Sequence, residues 1–250
     1  MEHIMAIGFD LFNTLITAEP QALNEAVRRL TQSLEESGLA LEHEEFRQAH
    51  REAALRFIEE TRQKGRETHN RFWISAALKT QGYTVTPDDP RIARAVESYF
   101  SAFFEYCHPI PGTIEMLEAL RDRYRLGLLS NFTHGPAART IIEDMDFAPF
   151  FDVILISGEL GYCKPHPMVF QRLAEDLGVQ ESRLLYIGDD PLLDIEGAQG
   201  AGIQPIWTTY VRDKSIPSTP GNPPGQTQVP EKDVPRVSTW NELLALLKKE

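Results

Sequence analysis

Cysteine is scarce in the 250-residue chain, which carries only Cys107 and Cys163. Two thiols cannot build a disulfide scaffold or a thiolate zinc site, so both are read as reduced. Positive charge is also thin: Lys+Arg 25 against Asp+Glu 37 leave a formal net charge of -12, and the densest basic run is the Lys248-Lys249 pair. A surface this acidic repels polyphosphate and anionic lipid, which argues against nucleic acid and membrane as partners. No stretch approaches the ~20 apolar residues of a membrane span. The start, Met1-Glu2-His3-Ile4-Met5-Ala6, has neither the basic nor the long apolar region of a signal peptide. The expectation is a soluble, cytoplasmic protein. A hydrophobic share of 42% with 25% charged residues then excludes collagen-like, coiled-coil and wholly disordered chains.

Short apolar runs end in polar or glycine-rich turns: Ile4 to Phe9 at Asp10, Leu126 to Leu129 at Ser130, Val153 to Ile156 at Ser157-Gly158, and Leu184 to Ile187 at Gly188-Asp189. A fifth, Pro205 to Trp207, runs into Thr208-Thr209. Runs that are apolar throughout suit strands buried on both faces of a parallel sheet. Between them Ile114, Leu117 and Leu120, then Ala137, Ile141 and Ile142, then Phe170, Leu173 and Leu177 repeat at helical spacing. The rhythm predicts an α/β fold, a Rossmann-like parallel sheet with helices on both faces, whose chemistry gathers at the carboxyl ends of the strands.

Residues 18–107 break the rhythm. Four helical patterns follow one another there without a strand, separated by Gly38, Gly65 and the stretch from Gly82 to Pro90. They predict a helical bundle inserted after the first strand, with residues 1–17 and 108–250 forming the α/β core. The aromatic stripe Tyr99, Phe100, Phe103 is assigned to packing inside that bundle, and Cys107-His108 to a hinge where the chain returns to the core. Residues 213–235, rich in proline, read as an extended loop within the core. Ser238 then starts a terminal helix on which Trp240, Leu243, Leu244 and Leu247 share a face.

The polar residues at the strand ends form a parts list. Asp10 stands at the first, Ser130-Asn131 at the second, Lys164 within Gly161-Tyr-Cys-Lys-Pro-His-Pro167 after the third, and Gly188-Asp189-Asp190-Pro-Leu-Leu-Asp194 at the fourth. A carboxylate can attack in place of water and divide one hard step into two. A lysine neutralises incoming negative charge, and two or three carboxylates can hold Mg²⁺. Hydroxyls and backbone N–H groups suit the oxygens of a phosphoryl group. These parts serve displacement at an anionic centre.

The four signatures in this order, with a helical insertion after the first, resemble the haloacid dehalogenase (HAD) superfamily, specifically its members with a helical cap. The resemblance covers the chain except for the proline-rich loop. It implies Asp10 as nucleophile, Lys164 as the catalytic charge clamp, and Thr14, Ser130 and Asn131 at the substrate or its phosphate. It further implies Mg²⁺ held by Asp10, Asp189, Asp194 and the backbone carbonyl of Phe12, acting on a small phosphorylated metabolite.

Phe12 departs from the phosphatase pattern, in which a second aspartate two residues after the nucleophile moves protons. General acid–base catalysis supplies about 10²–10⁴-fold, so alkyl phosphates should be slow substrates. Dehalogenases of the family carry an aromatic residue there and use no metal. The cluster Asp189, Asp190, Asp194 pulls the other way, since carboxylates packed without a cation repel one another. The sequence therefore favours a Mg²⁺-dependent phosphatase-type hydrolase working through an aspartyl-phosphate. The alternatives are a 2-haloacid dehalogenase working through an aspartyl ester and a phosphate- or metal-binding relative of low turnover. Further residues carry a functional reading beside a structural one. His134 offers a replacement acid or a helix start, His166 a substrate contact or a helix cap, and Cys163 a low-pKa thiol or a small buried residue. Arg28, Arg51, Arg56 and Trp73 on the helical insertion offer substrate recognition, against which most charges on such helices are solvated faces.

Overall fold

A computed structural model of the protein describes residues 3–216 and 229–248. After β1 (Ala6–Phe9) the chain forms β2 (Ile16–Ala18), four helices, α1 (Ala22–Glu36), α2 (His43–Lys64), α3 (Arg71–Thr80) and α4 (Pro90–Tyr106), and β3 (Cys107–Pro109). It then alternates: α5 (Thr113–Arg121), β4 (Arg125–Ser130), α6 (Gly135–Asp144), β5 (Val153–Ile156), α7 (Ser157–Leu160), α8 (Pro167–Asp176), β6 (Leu184–Gly188), α9 (Gly197–Gly200), β7 (Gln204–Thr208), α10 (Tyr210–Asp213), β8 (Arg236–Val237) and α11 (Trp240–Lys248). Six strands pair in the order β5-β4-β1-β6-β7-β8, every pair parallel. This is the Rossmann-like α/β sheet the sequence predicts.

The strand order sets where chemistry can sit. From β1 the chain goes to one side for β4 and β5, then crosses back to the other side for β6, β7 and β8. The crevice beyond the carboxyl end of β1 is therefore the topological switch point, the usual ligand site of an open α/β sheet. Period-two alternation divides the core into two layers. Ile7, Phe9, Leu126, Leu128, Leu185 and Ile187 pack on one face, while Ala6, Leu129, Leu184 and Tyr186 pack with Phe170, Leu173 and Leu177 on the other. Gly8 and Gly127 let α8 approach the second face closely: a Cβ at Gly8 would lie 2.7 Å from Leu173 and 2.8 Å from Tyr186, and one at Gly127 2.7 Å from Leu173.

In the helical stretch α1 packs on α4 and α2 on α3. Asp89 starts α4 by accepting the Arg91 N–H at 2.8 Å, with Pro90 in the first turn. Cys107-His108, expected to be a hinge, lies in a short strand: β2 and β3 pair antiparallel, Ile16 opposite Pro109 and Ala18 opposite Cys107, at the two ends of the helical stretch. The aromatic stripe of α4 also reaches beyond the neighbouring helices. Phe103 meets Phe12 at 6.4 Å, and Phe100 meets Phe132 at 5.1 Å and His134 at 5.0 Å. At the start of α11 Thr239 Oγ1, not Ser238, accepts the Glu242 N–H at 3.3 Å, while the Ser238 N–H donates to the Glu242 carboxylate at 2.7 Å. Of the proline-rich loop, residues 217–228 lie outside the described residues.

Candidate active site at the carboxyl end of the sheet

Asp10 follows β1 directly, and its neighbours in the sheet bring the other charges to it. Lys164, on the loop after α7, places Nζ 2.6 Å from Asp10 Oδ1 and 2.7 Å from Asp194 Oδ1. The same ammonium donates to the Tyr186 hydroxyl at 3.1 Å, and that hydroxyl donates to the Leu129 carbonyl at 2.9 Å. Lys164 is 3% exposed and its three donors are all used. Burial works against its charge, yet the carboxylates of Asp10 and Asp194 outweigh burial and hold its pKa well above the ordinary lysine value. Burial pushes Asp10 the other way, up to about 6, against the attraction of Lys164.

The acidic loop is shaped to aim Asp194 back at this centre. Asp190 accepts the N–H groups of Leu192 and Leu193, both at 2.9 Å, and so caps a π-helical turn over Pro191–Glu196. The turn returns Asp194 to the strand end, where its Oδ2 accepts the Asp190 N–H at 2.9 Å. Gly188 is required there, because a Cβ at that position would collide with the Asp194 carboxylate. Trp207 on β7 steadies the next residue by donating Nε1 to the Asp189 carbonyl at 2.8 Å.

Asp10, Asp189 and Asp194 each offer a carboxylate oxygen, and these lie within 4.8 Å of one another. Burial, then the charges of Asp194, Asp10 and Asp190, drive the Asp189 pKa well above the ordinary carboxylate range. One ammonium therefore faces a surplus of negative charge. Three converging hard oxygen donors are the donor set Mg²⁺ prefers, so the residues present fit that ion.

The loop from Asp10 to Leu15 is tight: Leu15 and Ile16 both return their N–H to the Leu11 carbonyl, and Asn13 sits at φ 62°, a conformation Asn tolerates better than most residues. This turns Thr14 inward, fully buried, with an Oγ1 that has no hydrogen-bond partner. Ser130 ends β4 and is 1% exposed. Asn131, read from the sequence as a substrate contact, uses its amide on the backbone of Lys164, accepting its N–H at 2.8 Å and donating to its carbonyl at 3.0 Å. It holds the lysine loop against β4. Phe12 is half-buried and stacks on Phe132, with ring centroids 5.4 Å apart and planes within 6°.

The remaining candidates divide clearly. His166 caps α8, its Nδ1 accepting the Met168 N–H at 3.2 Å. Cys163 is 3% exposed, and burial pushes its thiol up to about 12, so it is not a reactive thiolate at neutral pH. His134 is outside the hydrogen bonds that link Asp10, Lys164 and Asp194. The Arg71 N–H donates to His69 Nδ1 at 3.2 Å, so the His69 proton is on Nε2, which donates to His134 Nδ1 at 3.1 Å. His134 Nε2 then donates to Glu97 at 3.0 Å. Burial, followed by His134 and Arg71, holds His69 down to about 4, consistent with that neutral tautomer. Tyr186, which anchors Lys164, was not singled out in the sequence; it reads there as one more apolar strand position.

Residues 4–202 match the family described as haloacid dehalogenase-like hydrolase. The pyrimidine 5'-nucleotidase YjjG of Escherichia coli is 31% identical over 112 residues, 44% of this chain and 49% of that protein, so the chain spans about half the length of that relative. Glyceraldehyde 3-phosphate phosphatase of Methanopyrus kandleri is 30% identical over 201 residues, covering 80% of this chain and 82% of that one. Among solved structures, 2-haloacid dehalogenase from Pseudomonas syringae pv. Tomato DC3000 superposes with a TM-score of 0.68 over 98% of both chains, at 24% identity, a likeness of fold alone. The protein is a hydrolase of an α/β fold. It belongs to the haloacid dehalogenase-like hydrolases.

Proposed function

We propose that the protein is a Mg²⁺-dependent phosphatase that transfers a phosphoryl group from a small phosphorylated metabolite to Asp10, with residues 18–107 as a cap over a core of 1–17 and 108–250. The observation that carries this reading is the convergence of Asp10, Asp189 and Asp194 around Lys164. A carboxylate displacement that released only halide would have no use for the extra acids. The names of the relatives, a nucleotidase and a phosphatase of a three-carbon phosphate, agree with a phosphorylated substrate.

Lys164 holds Asp10 through Oδ1 and fixes the rotation of the carboxylate. Asp10 attacks phosphorus, a P–O bond forms to the carboxylate, and the bond to the leaving oxygen breaks with its electron pair going to that oxygen. Thr14 Oγ1, buried and unpartnered, is suited to donate to a phosphoryl oxygen, and Ser130 lies at the adjacent strand end. Asn131 acts as a positioning residue through the Lys164 backbone. Mg²⁺, held by Asp10, Asp189, Asp194 and the Phe12 carbonyl, would supply positive charge to the transferring group. Water then cleaves the aspartyl phosphate and restores Asp10.

Phe12 can neither donate a proton to the leaving oxygen nor take one from that water. Leaving groups that depart without protonation, such as aryl and acyl phosphates, are therefore preferred over alkyl esters. Phe12 is also the one observation that favours a second reading, dehalogenation. One experiment separates them: phosphate release from aryl and alkyl esters and halide release from 2-chloropropionate, each with Mg²⁺ and with EDTA. The proposal expects Mg²⁺-dependent phosphate release, lost in Asp10→Asn, and a larger gain on alkyl than on aryl esters in Phe12→Asp. Halide release in EDTA with no phosphate release would establish dehalogenation.

A further inference from the structure

Glu67, in the link between α2 and α3, is a half-buried acid with no part in the cluster around Lys164. Among the described residues no lysine or arginine forms an ion pair with it. Burial pushes its pKa above the ordinary carboxylate range, offset by two hydrogen bonds: Oε2 accepts the Ser157 hydroxyl, and Oε1 accepts the Thr68 N–H at 2.9 Å. A carboxylate drawn out of water without a cation adds little to stability. Its value lies in what it holds.

Ser157 follows β5 and is fully buried; its Oγ accepts the Phe132 N–H at 2.8 Å. Carboxylate, hydroxyl and backbone N–H thus form one chain from Glu67 to the loop that begins at Ser130. A serine hydroxyl has a single proton to give, and the other acceptor in its reach is the Phe132 carbonyl at 3.3 Å. The segment around Glu67 also grips the lysine loop. Gly65 O accepts Cys163 N at 3.1 Å and Glu67 N donates to Gly161 O at 3.2 Å, with Arg66 paired antiparallel to Tyr162 between them. A third link joins the two loops directly, since the Asn131 amide bonds the Lys164 backbone at 2.8 Å and 3.0 Å. The links close a circuit: from Cys163-Lys164 to Glu67, through Ser157 to Phe132, and back through Asn131 to Lys164. Lys164 Nζ lies 2.6 Å from Asp10, so the circuit ends at the nucleophile.

We propose that Glu67 is a positioning residue for the hydrolytic reaction: acting through Ser157, its carboxylate fixes the Ser130 loop relative to the Lys164 loop, so that both stand in register with Asp10. Glu67 itself touches no reacting atom. Without its carboxylate the Ser157 proton turns to the Phe132 carbonyl, and the Ser130 loop loses its tie to the segment that holds Cys163 and Gly161. Lys164 and Ser130 are then left to the Asn131 bonds alone. A misplacement of about 1 Å at groups that orient a reaction costs on the order of 10²-fold in rate, which sets the scale of the expected effect. The proposal rests on phosphoryl transfer at Asp10, because only that chemistry needs Lys164 and Ser130 at a fixed separation.

The test measures kcat and KM on 4-nitrophenyl phosphate with Mg²⁺ for the full chain, with turnover expressed per folded molecule from circular dichroism at the assay temperature. Glu67→Ala is expected to lower kcat about 10–10²-fold and to leave KM nearly unchanged, because Glu67 does not touch the ester. Ser157→Ala lowers kcat to a similar extent, and the double variant falls no further than the worse single one, since both cut the same chain. Glu67→Gln keeps a carbonyl for the Ser157 hydroxyl and restores most of the turnover lost in Glu67→Ala. A kcat near that of the wild type in folded Glu67→Ala overturns the proposal, as do additive losses in the double variant. Glu67→Gln as damaging as Glu67→Ala also overturns it, because that result would make Glu67 a proton carrier. Should Glu67→Ala fail to fold, undiminished kcat in Ser157→Ala overturns it alone. Asp10→Asn separates the two readings: turnover that survives there counts against phosphoryl transfer at Asp10, whereas loss there with none in Glu67→Ala removes only the positioning role.

Discussion

His50 gives the sharpest test of how the helical layer is packed. It is 4% exposed, its ring lies 6.2 Å from Phe46, 6.5 Å from Trp73 and 6.0 Å from Tyr99, and burial alone lowers its pKa to about 4 from an ordinary 6.5. The folded protein therefore holds this imidazole neutral, while the unfolded chain protonates it below about 6.5. Between those values the unfolded state binds more protons, so the contribution of His50 to stability rises with pH; it is complete above 6.5 and is lost as pH falls toward 4. At about 1.4 kcal/mol per unit the full difference is roughly 3 kcal/mol, of which about 2 kcal/mol has gone at pH 5. The buried carboxylates with raised pKa values act in the same range with the opposite sign, so the wild-type profile alone is ambiguous. The difference between wild type and His50→Phe isolates the histidine. Urea unfolding at pH 7.5 and pH 5.0 should show the variant gaining about 2 kcal/mol relative to wild type on acidification. A difference that stays constant within 0.5 kcal/mol or so, a margin typical of additive sites, would refute a neutral buried His50.

Two further outcomes follow from the charged centre. Asp189→Asn should weaken Mg²⁺ binding at least about tenfold, a loss of roughly 1.4 kcal/mol, in calorimetric titration of EDTA-stripped protein; equal affinity would remove Asp189 from the metal site. Lys164→Met leaves Asp10 and Asp194 without their shared cation, so turnover should fall about 10²–10³-fold, and urea unfolding should report a loss of about 3–5 kcal/mol, the cost of breaking a buried pair. Near-normal turnover with unchanged stability would make Lys164 a bystander.

How far the sequence reveals this site depends on whether a residue's role lies in its own segment or in what the fold brings to it. Asp10, Ser130, Lys164 and Asp194 were legible because each stands just beyond an apolar run or in its turn, and strand ends in a parallel sheet converge whatever the intervening helices do. The five apolar runs become β1, β4, β5, β6 and β7, and the sheet's two apolar layers follow from the same runs. The strands β2, β3 and β8 were not legible, because segments of two or three residues have no periodicity to read. Asn131 shows the limit at a single residue. Beside Ser130 it is an obvious polar candidate for substrate, yet the fold places the Lys164 backbone against it, and its amide is used there. Tyr186 is the converse, a strand residue whose hydroxyl joins the charged cluster only because Lys164 Nζ comes within 3.1 Å across 22 positions of sequence. Asn70 is harder still. In sequence it is an ordinary helix-start residue, and a cap bond would account for it completely. Only the structure shows that this bond is missing and that the side chain is completely buried. Charge near the reacting atoms recurs at fixed strand ends and can be read in advance. Side chains on the inserted helices acquire meaning only from the distances the fold gives them.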